Sequence, residues 1–139
     1  MTTSQNTRTS TWLERFFEAS ASQVAREIRS EAPCVYEQLV GDLQTPLTRP
    51  FEAAMAKRLA NGDMAGLIPA RTLMPEMMAR FGVTPTRFEE GRELAALERT
   101  CNRCPVVGHC WQAMRAGAEV EECRGFCPNA EAFERRAGG

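Results

Sequence analysis

Apolar residues recur every three or four positions along most of this chain, which is the spacing of an α-helix with one buried face. The clearest run begins near Thr11, where Trp12, Phe16 and Phe17 lead on toward Ile28. Nowhere do β-branched residues alternate with polar residues as they would in a half-buried strand. The pattern therefore predicts an all-α protein.

Proline and glycine predict where these helices begin and end. Pro33 is expected to end or bend the first helix, and a short second helix then continues to Leu43. A loop with two prolines covers residues 44–50. The next helix, Phe51–Ala60, should stop at Asn61-Gly62, a good left-handed cap.

The second half of the chain shows further short helical patterns. A helix that ends at Phe81 is closed by Gly82. Thr84 as cap and Pro85 at the first helical position predict a longer helix that runs toward Thr100, with Phe88, Leu94 and Leu97 on its apolar face. Shorter helical patterns cover Cys110–Arg115 and Phe126–Arg136.

Composition divides the chain into three parts. Residues 1–10 are rich in Thr, Ser, Asn and Gln and are predicted to be a disordered tail. Residues 11–63 form an N-terminal helical segment, and residues 64–139 form a cysteine-rich helical domain. Trp12, Phe16 and Phe17 are interpreted as core or as a self-association surface, and Met74, Met77 and Met78 as core residues that fill irregular gaps.

The charge balance narrows the classes of partner. With 17 Lys+Arg against 18 Asp+Glu, the net charge of the 139 residues is −1, which argues against a nucleic-acid binder that works by bulk charge. No apolar run is long enough to span a bilayer, and the first twenty residues lack the features of a secretory signal. We therefore expect a cytoplasmic protein, in whose reducing compartment clustered cysteines indicate metal ligands or redox groups rather than disulfides.

Five of the six cysteines fall in one short region, with the spacing C-x2-C-x5-C-x12-C-x3-C. Cys101 and Cys104 can turn both thiolates toward one centre, and Cys110 can reach it from the start of a following helix. A fourth ligand must come from farther along the chain, and Cys127 or Cys123 can supply it. Four thiolates suit either tetrahedral zinc or an iron–sulfur cluster.

Two features favour the cluster over zinc. Structural zinc usually takes two tight cysteine pairs, whereas here three cysteines stand together and one stands apart. The Cys-Pro pairs at 104–105 and 127–128 are also typical of ferredoxin ligands. Zinc stays open as the alternative, with Cys123 and Cys127 as a loose second pair.

The pattern also predicts the environments of the sixth cysteine, the only histidine and two aromatic residues. Cys34 lies far upstream in an amphipathic stretch and is predicted to be a buried free thiol. His109, the only histidine, is expected to face solvent because its neighbour Cys110 points to the metal. Trp111 and Phe126 flank presumed ligands and are expected to shield the centre from water.

Two short resemblances support a metal centre. The run CNRCPVVGHCWQAM, residues 101–114, resembles the C-x2-C-P-V-x4-C segment of the WhiB-like iron–sulfur regulators of actinobacteria. The basic and Gly-rich elements of that family are missing, and its first ligand lies upstream, where this chain has only Cys34. The C-x2-C-x5-C triplet is also similar to the cluster loop of endonuclease III-type glycosylases, without their upstream cysteine or helix-hairpin-helix.

A longer resemblance is to a family of small proteobacterial proteins classed as a domain of unknown function. It rests on MMARFGV, a helix leading into C-x2-C-x5-C-W, and a terminal FCPNAEAF, and it covers residues 64–136. The resemblance implies a compact helical domain with no established activity. It also implies that Cys101, Cys104, Cys110 and Cys127 are the four ligands and that Cys123 stands outside the set.

Together these patterns predict a non-catalytic iron–sulfur protein. It would hold a [4Fe–4S] cluster and act in redox or oxygen sensing or in electron transfer, with the N-terminal helices binding a protein partner. A zinc-stabilised interaction module is the alternative. An enzyme is not expected, because the C-x-x-C lies outside a βαβ context and no G-x-S-x-G, H-E-x-x-H or phosphate-loop pattern occurs.

Overall fold

The protein is all-α, as the hydrophobic pattern predicts. The computed structural model describes residues 3–137, and the side chains from residue 15 onward apart from those of residues 17 and 18. No strand occurs in this part of the chain. The helices are α1 (Thr3–Glu31), α2 (Pro33–Gly41), α3 (Arg49–Ala60), α4 (Pro69–Thr72), α5 (Met74–Phe81), α6 (Gly91–Asn102), α7 (Val107–Arg115), α8 (Val120–Arg124) and α9 (Ala130–Ala137), with a 3₁₀ turn at Pro85–Arg87.

Local backbone chemistry accounts for most helix ends. Pro33 is the first residue of α2, where its missing N–H costs nothing. Gly62, Gly82 and Gly117 each adopt a positive φ just after a helix, a conformation that glycine adopts without a steric penalty. These boundaries agree with the sequence pattern because they depend on only a few neighbouring residues.

The first helix differs from the prediction at its N-terminus. The structure continues α1 as helix from Thr3, upstream of the predicted start at Thr11, and no proline or glycine interrupts it. The composition of residues 1–10 predicts a disordered tail, whereas the structure describes residues 3–10 as helix. Met1 and Thr2 lie outside the described residues. The side chains of Trp12 and Phe17 also lie outside the description, and Phe16 is exposed.

The long helix predicted from Thr84 to Thr100 is wrong. Thr84 and Pro85 begin only a 3₁₀ turn, and Phe88 leaves helical geometry with φ −95° and ψ 100°. The reason is that the Phe88 side chain turns into the core, where the guanidinium of Arg136 lies 5.8 Å from its ring centre. Gly91, which the pattern places in the middle of a helix, instead begins α6.

The core joins the two halves of the chain. Helix α1 packs on α2 and α3, and α3 packs on α7. Helix α4 contacts α5 and α6, and α5 contacts α8 and α9. Gly108 allows the close approach of α3 and α7, because a Cβ there would clash with the carbonyl oxygen of Ala56. Met74, Met77 and Met78 are buried, as predicted. The largest fully buried side chains are Trp111, Tyr36, Phe133, Met55, Leu59, Leu73, Val40 and Cys123.

A buried ion pair ties α3 to α7. Arg115 donates from Nε and Nη2 to the two carboxylate oxygens of Glu52, each at 2.6 Å. Its guanidinium also donates to the carbonyl oxygens of Leu39, Asp42 and Thr45. The loop before α3 is therefore held in place by one arginine.

Candidate metal centre

Four cysteines line one cavity between the end of α6, the start of α7 and the loop before α9. They are the four residues that the family resemblance implies, Cys101, Cys104, Cys110 and Cys127. The cavity measures about 20 Å³ and lies within about 410 Å³ of atom-free space that is partly open to solvent. It is far smaller than the roughly 300 Å³ of a pocket for a small organic ligand.

The rest of the cavity wall is mostly apolar. Helices α4 and α5 supply one side of it, and α7 and the chain around α9 supply the other. No charged side chain of the described residues takes part. The other lining residues are Pro69, Leu73, Met74, Met77, Thr100, Val107, Phe126, Pro128, Asn129 and Phe133.

Backbone amides lie near two of the sulfurs. The N–H of Val106 acts to lower the pKa of Cys104, and the N–H groups of Asn129 and Ala130 act to lower that of Cys127. The C-x2-C turn is itself closed by the N–H of Cys104, which donates to the carbonyl oxygen of Cys101 at 3.2 Å. Such amides favour the thiolate form and set the direction of its lone pairs.

Burial nevertheless raises the pKa of all four thiols. For Cys101 burial, followed by the neighbouring Cys104 and Cys127, raises the pKa from 9.0 to about 12. The pKa of Cys110 is raised still further by burial and by the three other cavity cysteines. In the absence of a cation these groups are therefore neutral thiols at neutral pH, and a positively charged group among them would reverse that preference.

Cys123 is separate from the cavity. It lies on α8, is fully buried, and does not line the space that the other four share. Its carbonyl oxygen accepts the N–H of Cys127 at 2.9 Å, so the two residues are one helical turn apart. It is close enough to Cys110 and Cys127 for their charges to interact.

The prediction that Cys34 is a buried thiol is wrong, because its side chain is exposed. Tyr36 and Val40 are the residues of α2 that enter the core, and they lie four positions apart on one face. Cys34 precedes Tyr36 by two positions, which places it on the other side of the helix. The helix itself is confirmed, and only the predicted side facing the core is wrong.

The aromatic residues next to the cysteines have different environments. His109 is exposed, as predicted, and its ring makes an edge-on contact with Phe126 at 4.6 Å between centres. Phe126 lines the cavity. Trp111 is expected to shield the centre, but its Nε1 donates to the carbonyl oxygen of Val40 at 2.7 Å and its side chain is absent from the cavity lining.

Two asparagines that sequence reasoning missed hold the cavity together. Nδ2 of the buried Asn129 donates to the carbonyl oxygen of Leu97 at 2.9 Å, which ties the loop after Cys127 to α6. Oδ1 of Asn102 accepts the N–H of Ala70 at 2.8 Å, which ties the C-x2-C turn to α4. The Cys-Pro-Asn run at 127–129 was the available signal for the first contact, and the second depends only on tertiary structure.

The four thiols share a cavity but do not make a single-ion site. Across the described residues, no three or more His, Cys, Asp or Glu side chains are grouped as ligands of one metal ion.

The described helices include none that is long and apolar enough to cross a membrane. Comparisons with protein-family models, curated proteins and solved structures found no significant match to this chain.

Proposed function

We propose that this protein is a non-catalytic iron–sulfur protein that acts in redox or oxygen sensing or in electron transfer. Cys101, Cys104, Cys110 and Cys127 would hold a [4Fe–4S] cluster. The observation that carries the proposal is that these four thiols, from three separate stretches of chain, line one apolar cavity. When bound, such a cluster supplies reversible one-electron chemistry.

The donor set fits the cluster in number and in surroundings. One thiol for each of four irons is the ligand count that a cuboidal cluster requires. The cavity lies within about 410 Å³ of atom-free space, and a group bonded to the sulfurs would approach them more closely than van der Waals contact. The amides on Cys104 and Cys127 would stabilise the ligating thiolates, and the apolar wall would restrict water.

Zinc remains the alternative cofactor, in a protein whose metal only stabilises an interaction module. Its distinguishing feature is two-by-two pairing that uses Cys123 with Cys127. Cys123 lies outside the shared cavity, and the described thiols are not grouped around one ion. The position of Cys123 outside the cavity disfavours the two-by-two pairing, because that pairing needs Cys123 beside the other ligands.

The proposal also covers the partner-binding surface, the location and the absence of catalysis. We keep the helices of residues 11–63 as a contact surface for a protein partner, because Val24 and Val35 expose apolar side chains there. A cytoplasmic location is proposed because a reducing compartment preserves free thiols. Catalysis is not proposed, since the cavity lining contains no acid, base or hydroxyl nucleophile other than Thr100.

The test is anaerobic purification followed by metal, sulfide and absorbance measurements. We expect a brown protein with four iron and four sulfide per chain and visible absorbance that dithionite bleaches. Cys127→Ala should lose this absorbance, whereas Cys34→Ala, the matched change at an exposed cysteine, should keep it.

The outcomes separate the two cofactors. A colourless protein with one stoichiometric zinc would contradict the cluster and support the interaction module. Cys123→Ala is expected to retain the iron, because its side chain does not line the cavity. If Cys123→Ala lost as much iron as Cys127→Ala without a loss of helical signal, the ligand set would be wrong.

A further inference from the structure

Three exposed arginines lie on the chain within or next to the C-x2-C turn. Arg103 lies within that turn, between Cys101 and Cys104. Its N–H donates to the carbonyl oxygen of Arg99 at 3.2 Å, which places the two side chains one helical turn apart. The bond from Ala70 to Asn102 brings the start of α4, and with it Arg71, to the same turn.

These arginines, called here the arginine rim, are not in ion pairs in the part of the chain that the structure describes. Within the described chain none of Arg71, Arg99 and Arg103 is in an ion pair, unlike Arg80, Arg115 and Arg136, which each contact a glutamate. The sequence also contains no Asp or Glu at residues 64–75 or 99–118. The carboxylate of Glu98, next to Arg99, lines a neighbouring pocket with Ala70 and is not in an ion pair with any of the three arginines. A chain of net charge −1 therefore has three cations without an ion-paired carboxylate on the segments beside the cysteines.

Apolar side chains accompany this charge. Ile68, immediately before α4, is 44% exposed, and Pro105 and Pro128 are exposed next to Cys104 and Cys127. An apolar centre with a charged rim is the usual composition of a protein-binding surface. Small surfaces of this kind suit weak redox encounters, which bury less area than stable complexes.

We propose that the arginine rim docks an acidic redox protein that exchanges single electrons with the group held by the cysteines. The proposal rests on the proposed function and names the partner class for it. Four thiolates around a cluster leave net negative charge at the site, which would repel an acidic protein. Three exposed guanidinium groups on the chain beside the cysteines would oppose that charge.

The electron balance needs nothing further. One electron leaves the reduced partner and enters the centre, and no bond forms or breaks. The rim acts only on encounter, because complementary charge raises association rates by about ten- to a thousandfold at low salt. A protein partner is favoured over nucleic acid since three arginines offer few phosphate contacts on a chain with no overall positive charge.

The experiment measures both binding and electron transfer with an acidic plant-type ferredoxin as the probe. The full-length protein, purified anaerobically, is mixed with reduced ferredoxin in a stopped-flow instrument, and the Kd is measured separately by titration. The test variant carries Arg71→Gln, Arg99→Gln and Arg103→Gln. The control carries Arg87→Gln, Arg92→Gln and Arg135→Gln, the same charge change at exposed positions outside the rim and outside the helices of residues 11–63.

We expect the test variant to lower the second-order rate and weaken the Kd by about tenfold or more at low salt, with a flatter salt dependence. The control variant and an Arg→Lys triple at the rim should stay within about twofold of the unmodified protein. The reduction potential should move little in all of them, which separates docking from a tuning effect.

Four results would overturn the docking surface or separate it from the proposed cluster. Equal rates and Kd values for test and control variants, with the absorbance intact, would remove the rim as a docking site and leave the proposed function standing. Binding of a DNA duplex that depends on the rim, with no binding of ferredoxin, would assign the surface to nucleic acid. Colourless protein that still binds ferredoxin through the rim would contradict the cluster but support the docking surface. If the test variant lost its visible absorbance, the variant could not be compared. The salt dependence of the unmodified protein would then decide, and a rate of electron transfer from ferredoxin that did not fall with salt would count against docking.

Discussion

The two buried polar clusters of this protein are built in opposite ways. Around Arg115 every donor has a partner within the chain, from the carboxylate of Glu52 to three backbone carbonyls. Around Cys110 the neighbours are other thiols and apolar side chains, and the described lining contains no counter-charge. One cluster is complete within the chain, and the other gathers four thiols around a cavity.

The difference separates a structural role from a functional one. A satisfied ion pair between α3 and α7 holds the fold whether or not anything else binds. Four thiols whose pKa values are raised by burial and by one another gain nothing from their proximity in the absence of a cation.

The largest expected effect on stability is at the ion pair. Arg115→Met leaves the buried carboxylate of Glu52 and three carbonyl oxygens without their donor, and should lower the free energy of unfolding by about 3–5 kcal/mol. Urea denaturation of the metal-free protein measures this. As a single substitution in the metal-free protein, Cys110→Ala should lower the free energy of unfolding clearly less. Equal losses would mean that the thiols are structural too.

The second prediction concerns the contact between the helices that carry the two clusters. Gly108→Val places a side chain against the carbonyl oxygen of Ala56 and the Cβ of Ala60, and α3 and α7 must separate. We expect a loss of about 1–3 kcal/mol, the usual range for overpacking. Gly41→Val is the control, because a Cβ there meets nothing nearby. A stable Gly108→Val protein that keeps its iron would show that the cavity tolerates movement of α7.

Alkaline pH should distinguish the empty cysteine cluster from the filled one. The pKa of Cys101 is raised from 9.0 to about 12 in the folded protein, so between these values the unfolded chain loses a proton that the folded chain keeps. The metal-free protein should therefore be fully stable below pH 9 and lose up to about 1.4 kcal/mol per pH unit for each such thiol above it.

Thermal unfolding across pH 8–11 measures this effect. The iron-loaded protein should not show the decline, because its ligands are already thiolates in the native state. Cys101→Ala in the metal-free protein should reduce the decline, since alanine does not ionise. An identical pH profile for loaded and metal-free protein would argue that the metal is not bound by these thiols.

The smallest effect is expected at the aromatic contact over the cavity. Phe126→Ala should speed the loss of visible absorbance in air severalfold, because Phe126 covers part of the cavity and contacts His109. Trp111→Phe should not do so, since Trp111 faces Val40 instead. Absorbance decay in air-saturated buffer compares the two. Faster decay in Trp111→Phe alone would reverse the assignment.

Part of the fold could be predicted because it depends on short stretches of chain. Gly82 closes α5 where the pattern places the helix end, and the burial of Met74, Met77 and Met78 follows from their spacing. The grouping of Cys101, Cys104 and Cys110 follows from their separations, whereas the spacing leaves Cys123 and Cys127 open and the structure places Cys127 in the cavity. By contrast, the pattern does not predict α8, because five residues give too little periodicity to detect.

The sequence alone determined the all-α class, most helix ends and the grouping of Cys101, Cys104 and Cys110, since backbone preferences and short loops decide these within a few residues. Tertiary structure decided that Cys127, and not Cys123, lines the same cavity. Tertiary structure decided which face of α2 enters the core and leaves Cys34 exposed, and where Phe88 breaks a helix. It also decided the pairing of Arg115 with Glu52 across 63 positions and the gathering of the arginine rim. These depend on contacts between distant segments, whose free energy no local pattern contains.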